Sequence, residues 1–257
     1  MPRRGAALVT VPGDEIVTCY GLKALSMVRT IAPPTWIVEM LTGPRASREG
    51  VLSALRRLDP ALFIGMGHGK EDVFTGYGMK PIFRVCDTDA LAGRIVYLFS
   101  CLTAKELGKD IVAKGAAAFI GYDREYAFMA AEPLRCRDPF TEDPYAAPFF
   151  IPPMEIIRAL LSGYTAGEAH ARGVDAFNDM IEEWSRSSDP AAPYIVFFLK
   201  MDRDAQRLYG DPSASAAPAA PRIPIAPIVA AVITYALTGS PAAAVSAALA
   251  TLPASPR

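Results

Sequence analysis

Short apolar runs alternate with longer amphipathic stretches from the N-terminus to about residue 212. The apolar runs are rich in Val, Ile and Phe, which is typical of strands buried on both faces. We predict six strands, at residues 6–11, 35–41, 61–66, 94–99, 116–121 and 194–201. Helices are predicted between them, at residues 19–29, 46–58 and 103–114. This alternation predicts an α/β fold, with a doubly wound, mostly parallel sheet and helices on both faces.

A proline-rich segment at residues 132–153 interrupts this alternation. A structureless stretch of that length inside a compact domain is usually functional, so we expect an ordered loop or lid. Two helices are predicted after it, at residues 154–162 and 166–186. Thr165 and Glu168 open the second of them in a capping-box pattern, in which each side chain satisfies a free backbone N–H group.

The composition changes near residue 212, where we expect the folded domain 1–212 to end. Residues 213–222 are mostly Ser, Ala and Pro, a linker composition. The tail 223–257 carries no charge before its last residue, and about 20 mainly apolar residues suffice to span a bilayer. The tail is therefore predicted to be a transmembrane anchor, an Ala-rich helical pair packed on the domain, or a disordered tail, and membrane association stays open.

Two arginines, Arg3 and Arg4, precede the first apolar run, as in a signal peptide. The run is too short for that role, and Asp14 and Glu15 follow it closely, so we interpret it as the first strand. The expected location is cytoplasmic, with the tail as a tether to the membrane.

Charge and cysteine content exclude several function classes. Lys and Arg number 26 against 27 Asp and Glu, so the chain lacks the positive excess that a nucleic-acid-binding surface needs. The four cysteines form no C-x-x-C pair, and there are two histidines, so a structural zinc site is disfavoured. We expect no metal, no cofactor and no nucleic-acid partner.

Two predicted buried strands lead directly into residues that can do chemistry. Strand 61–66 is followed by Gly67-His68-Gly69, and strand 94–99 is followed by Ser100-Cys101. In open parallel sheets, sites form at the carboxyl ends of strands, and neighbouring strands lie about 4.8 Å apart. If these two strands are neighbours, the imidazole and the thiol meet there as general base and nucleophile.

The surroundings of Cys101 are expected to favour the reactive thiolate. Thr103 and Glu106 form a capping-box pattern, which predicts that a helix N-terminus with its partial positive charge follows the thiol. His68 favours the thiolate further and can protonate a leaving amine. Gly69 can bring its backbone N–H close to a substrate carbonyl, and with the N–H of Cys101 it is predicted to form an oxyanion hole. A lone buried cysteine is usually structural, so the prediction depends on both motifs together.

Strand–Gly67-His68-Gly69 followed by strand–Ser100-Cys101-x-Thr103-Ala104 resembles the caspase-like cysteine peptidases, and the gingipains in particular. The strand at 115–121 and the ending Gly210-Asp211-Pro212 also resemble gingipain segments. The resemblance covers residues 5–212. It implies a caspase-like three-layer sandwich, a protein or peptide substrate, catalytic roles for His68 and Cys101 and an oxyanion role for Gly69. Because no export signal or extra domain is found, intracellular, limited proteolysis is expected.

Asp123 follows the fifth predicted strand at the same sheet edge. In separase-like relatives an acid after this strand receives a basic P1 side chain, and the resemblance implies the same substrate-binding role for Asp123. Glu125 and Asp89 are weaker alternatives. The competing interpretation is a solvated loop acid paired with Arg124.

Other protein classes fit the sequence less well. A catalytically silent or latent caspase-like scaffold would keep His68 and Cys101 in a closed site. A flavodoxin-like nucleotide binder lacks a phosphate loop, and a serine hydrolase lacks G-x-S-x-G. His170 lies on an apolar helical stripe and is interpreted as a packed histidine.

Overall fold

The computed structural model describes residues 2–132 and 135–217. Its strands are β1 (Arg3–Val11), β2 (Ile37–Thr42), β3 (Pro60–Met66), β4 (Gly69–Lys70), β5 (Val73–Thr75), β6 (Pro81–Arg84), β7 (Ile95–Phe99), β8 (Ala118–Tyr122) and β9 (Gln206–Gly210). Its α-helices are α1 (Ile16–Ser26), α2 (Val28–Ile31), α3 (Arg48–Leu58), α4 (Leu107–Ala113), α5 (Ala147–Leu161), α6 (Ala166–Ser185) and α7 (Ala192–Ala205).

Six strands form a mixed sheet in the order β2-β1-β3-β7-β8-β9. All neighbours are parallel except β9, which runs antiparallel to β8. Alternate residues of the central strands enter two separate cores. Val9 and Ile64 face the core that includes α1, α5, α6 and α7, and Leu8 and Phe63 face the core that includes α3 and α4. The predicted three-layer α/β architecture is therefore confirmed.

The strand predicted at residues 194–201 is wrong, because this segment belongs to helix α7. Ile195, Leu199 and Asp202 are buried at helical spacing, whereas Tyr194 and Phe197 are exposed. The exposed aromatic residues make the segment look like a continuous apolar strand. The last strand of the sheet is instead the more polar β9.

The predicted loop at 132–153 ends earlier than expected, because α5 begins at Ala147. Pro148 lies in the first helical turn, where proline is tolerated because the N–H it lacks would be unpaired anyway. Ahead of α5, the buried Asp143 organises the chain by accepting hydrogen bonds from the N–H groups of Ala131, Tyr145 and Ala146.

A disulfide bond fastens this loop to the rest of the domain. Cys136 is bonded to Cys19 of α1 across 117 residues of sequence, with a Cα–Cα distance of 6.0 Å. Next to it, the Tyr20 hydroxyl donates to Asp143 over 2.7 Å. The loop and α1 therefore form one covalently joined unit.

The chain stays packed beyond residue 212. The N–H of Gly5 donates to the carbonyl oxygen of Ala216, and that of Ala166 to the carbonyl oxygen of Ala214. The capping box at Thr165 and Glu168 is confirmed at the start of α6. Within the described ranges no helix is both long enough and apolar enough to cross a bilayer. The predicted anchor at 223–257 and the second half of the predicted linker, 218–222, lie outside the described residues.

Candidate active site

The two strands that lead into His68 and Cys101 are neighbours, as predicted. In the parallel pair β3–β7, Met66 lies opposite Phe99, and His68 and Cys101 each follow two residues later. Both line one cavity of about 30 Å³, together with Val17, Met66, Gly67, Phe99, Ser100, Tyr126, Phe128 and Phe150. The cavity has room for about one water molecule, so a peptide side chain does not fit into it.

Glu15 holds the imidazole of His68. Its Oε1 lies 3.1 Å from His68 Nε2, and both side chains are partly exposed. Glu15 also caps α1, accepting the N–H of Thr18 over 2.9 Å and that of Val17 over 3.2 Å. Burial raises its pKa, but these hydrogen bonds and the nearby His68 outweigh that effect and leave the pKa lowered. An ionised carboxylate therefore faces the histidine.

Sequence reasoning missed Glu15. The available signal was an acid just after the first buried strand, followed by Thr18 in a reversed capping-box pattern. Its significance depends on β1 lying next to β3, which brings the ends of those strands to one edge of the sheet.

Cys101 is partly buried beneath the chain that follows β8. The backbone N–H of Tyr126 donates to its Sγ over 3.3 Å. Burial raises the pKa of the Cys101 thiol, and the carboxyl groups of Glu125 and Asp202 raise it further, against the opposing effect of the Tyr126 N–H. In this closed arrangement the thiol is protonated.

The prediction that a helix starts directly after Cys101 is wrong, and so is the capping box at Thr103 and Glu106. Leu102 has a positive φ of 62°, which turns the chain away from a helical path. Helix α4 begins only at Leu107, and the carbonyl oxygen of Glu71 accepts the N–H groups of Glu106 and Leu107. The N-terminus of α4 therefore does not directly follow the thiol, contrary to the prediction from the sequence.

Gly69 lies against the backbone of the Cys101 turn. A Cβ built on Gly69 would overlap the Cys101 carbonyl oxygen and Ser100 Oγ, so a residue without a side chain is needed there. The predicted oxyanion role of Gly69 and Cys101 stays a prediction.

Asp123 follows β8, but it does not line the small cavity. Its carboxylate pairs with Arg207 over 2.7 Å, and the Arg124 guanidinium lies 4.0 Å away. The alternative acid Asp89 pairs with Lys114 over 3.4 Å. The specificity role of Asp123 stays a prediction, and a substrate cation would have to compete with Arg207 for it.

Two of the larger cavities differ in their relation to the candidate site. A groove of about 590 Å³ adjoins His68 and is lined by residues of the β4–β6 hairpins, including Lys70, Thr75 and Arg84. A cavity of about 620 Å³ involves α5 and α6 and contains none of the candidate residues. Residues 2–132 and 135–217 hold no cluster of three or more potential metal ligands.

Comparison with known proteins gives limited similarity. No protein-family model matches the sequence, and no curated protein matches it. One solved structure that is similar is a secreted C11 cysteine protease from Bacteroides thetaiotaomicron, named iotapain, at 10% identity and a TM-score of 0.37. The match covers 49% of this chain and 53% of that one, so it spans about half the length of the protease.

Proposed function

We propose that this protein is a cysteine endopeptidase in which Cys101 is the nucleophile, His68 the general base and acid, and Glu15 the positioning residue for His68. One observation carries the proposal. His68 and Cys101 follow level ends of adjacent parallel strands and line one cavity, and the Glu15 carboxylate lies 3.1 Å from Nε2 of the imidazole. This is the nucleophile–base–orienter arrangement of covalent hydrolases.

The proposed reaction has two stages. His68 takes the thiol proton, and Sγ of Cys101 attacks the carbonyl carbon of the scissile peptide bond. The C–N bond then breaks as His68 returns that proton to the leaving amine, which leaves a thioester on Cys101. In the second stage His68 deprotonates water, the hydroxide attacks the thioester carbon, and sulfur leaves and regains its proton. The N–H groups of Gly69 and Cys101 are assigned to the oxyanion at both stages.

The closed cavity favours a second, related candidate: a latent or catalytically silent caspase-like module. The Tyr126 N–H lies against Sγ, and the space beside the thiol holds about 30 Å³. A peptide therefore needs a rearrangement of the segment after β8 before it can reach Cys101. We regard the described form as a closed state of the peptidase.

For the substrate we propose limited proteolysis after a basic P1 residue. Asp123 is the acid that the resemblance implies for this residue, but its carboxylate already pairs with Arg207. The gingipain resemblance and a membrane tether through the tail belong to the same proposal. The cytoplasmic location stays a prediction, and the Cys19–Cys136 disulfide favours an oxidising compartment instead.

Covalent labelling of the full chain tests the proposed function. A peptidyl epoxide with P1 Arg is incubated with wild type, His68→Ala and Glu15→Gln, and the adduct is located by mass spectrometry. Cys86→Ser is the control, because Cys86 is the second free thiol in the described residues. Label on Cys101 that is lost in His68→Ala supports the dyad.

Glu15→Gln serves to test the positioning role. We expect it to lower kcat by roughly 10- to 100-fold with little change in KM, since misplacing a catalytic group costs that much. A folded wild-type protein that takes no label at Cys101 from any P1 probe contradicts the peptidase and leaves the silent module.

A further inference from the structure

Two consecutive backbone N–H groups connect Cys101 to a second buried acid. The N–H of Tyr126 donates to Cys101 Sγ over 3.3 Å, and the N–H of Ala127 donates to Asp202 Oδ1 over 3.0 Å. The two donors belong to consecutive residues, whose nitrogen atoms are less than about 4 Å apart. Cys101 Sγ and Asp202 Oδ1 therefore lie at most about 10 Å apart. An extended lysine or arginine side chain covers such a span.

Asp202 has an unusual environment for an acid. It lies on α7 with 0% exposure, and among the described residues its Oδ2 has no hydrogen-bond partner. Buried polar atoms are nearly always paired, and an unpaired one costs stability and calls for an explanation. The Asp202 carboxyl affects the pKa of three titratable groups, and none of them is a cation: Cys101, Tyr122 and Tyr126.

The Tyr126 side chain lines the small cavity at Cys101 and packs among aromatic rings. Its ring packs edge-on against Phe99 and Tyr122, with centroid distances of 4.6 and 4.8 Å, and Phe177 lies further along at 6.5 Å. Its hydroxyl donates to the carbonyl oxygen of Phe149. Without this ring, the space among these aromatic faces beside Cys101 would be open, and the Asp202 carboxyl is bound to the N–H of the next residue, Ala127.

Given the proposed peptidase activity, on which this inference rests, we propose that Tyr126 occupies the protein's own primary specificity pocket and that Asp202 is the acid of that pocket. A substrate with a cationic P1 side chain takes the place of Tyr126. Aromatic faces and one carboxylate together suit a guanidinium or ammonium group. Asp123 is less well placed for this role, because its carboxylate already pairs with Arg207. Neither acid lines the small cavity at Cys101.

The proposal predicts that cation binding releases a proton. Burial raises the pKa of Asp202 to about 9, so its carboxyl group is protonated at neutral pH until a cation faces it. A bound cation stabilises the ionised form, and the released proton makes binding tighter as pH rises towards that value.

Benzamidine, a flat aromatic cation, tests the pocket independently of catalysis. Its binding to the full chain is measured by calorimetry at pH 6, 7 and 8. We expect Tyr126→Ala to bind it at least tenfold more tightly than wild type, and adding Asp202→Asn to weaken binding about 100-fold. The matched control is Asp204→Asn, an exposed acid on the same helix, which should change nothing. If Tyr126→Ala does not fold, Tyr126→Leu takes its place.

Peptide hydrolysis then separates the two acids. We expect Asp202→Asn to lower the ratio of kcat/KM for P1 Arg over P1 citrulline about 100-fold. A loss of that ratio in Asp123→Asn but not in Asp202→Asn overturns the inference, as does a folded Tyr126 variant that binds no benzamidine. Benzamidine binding that depends on Asp202, in a protein that cleaves no peptide, supports the pocket and contradicts only the peptidase.

Discussion

The buried carboxyl group of Asp202 should make the stability of this protein fall as pH rises. Its pKa is about 9 in the folded protein and near 3.8 when the side chain is in water. Between these values the folded state holds a proton that the unfolded state has released, so unfolding becomes easier at higher pH. Each pKa unit corresponds to 1.36 kcal/mol, which gives a cost of about 4 kcal/mol at pH 7.

The Asp202→Asn variant removes this titration and keeps the shape of the side chain. Its free energy of unfolding should therefore exceed that of wild type by an amount that grows about 1.4 kcal/mol per pH unit between pH 5 and 8. Because native proteins are stable by only about 5–15 kcal/mol, the divergence is large enough to measure by urea denaturation followed by circular dichroism. Asp204→Asn, at an exposed site on the same helix, should parallel wild type. Parallel curves for wild type and Asp202→Asn across this range would refute the reasoning.

Three further predictions follow from the described contacts. Gly69→Ala places a Cβ onto the Cys101 carbonyl oxygen, so we expect a loss of about 1–3 kcal/mol in urea denaturation together with loss of Cys101 labelling; full activity would show that the overlap relaxes freely. Reducing the Cys19–Cys136 bond, or replacing both residues by Ser, should lower the free energy of unfolding by about 4–5 kcal/mol, as loop-closure entropy predicts for its 117-residue separation; identical denaturation curves with and without reductant would contradict this. Iodoacetamide should modify the exposed Cys86 well before Cys101, because burial raises the pKa of Cys101 and Tyr126 covers its Sγ. Mass spectrometry of timed samples checks the order, and earlier modification of Cys101 would contradict the prediction.

The central sheet and the pairing of His68 with Cys101 could be predicted because fully buried parallel strands appear as continuous apolar runs. Their carboxyl ends meet at one edge of the sheet wherever the strands are neighbours. The hydrophobic pattern did not distinguish helix α7 from a strand, because Tyr194 and Phe197 add apolar residues to its exposed side. Whether the segment is a helix or a strand depends on which of its faces is buried, and that depends on tertiary packing.

The finer features of the site depend on contacts between distant residues. Glu15 acquires its role from the adjacency of β1 and β3, and Asp202 from its burial beside Tyr126. No helix starts directly after Cys101 because Leu102 has a left-handed conformation. Leucine rarely adopts this conformation, so the sequence does not predict it. The pairing of Cys19 with Cys136 likewise cannot be deduced from cysteine spacing.

The disulfide also determines what would remain together if the protein cut itself. The segment after β8 contains three arginines, Arg124, Arg135 and Arg137, on the two sides of Cys136. A break after Arg124 or Arg135 falls between the bonded cysteines, so the product is a two-chain molecule whose halves separate only under reducing conditions. A break after Arg137 leaves both cysteines in one fragment, and the pieces part without reductant. A pair of electrophoresis gels, one with reductant and one without, would thus tell a cut before Cys136 from one after it.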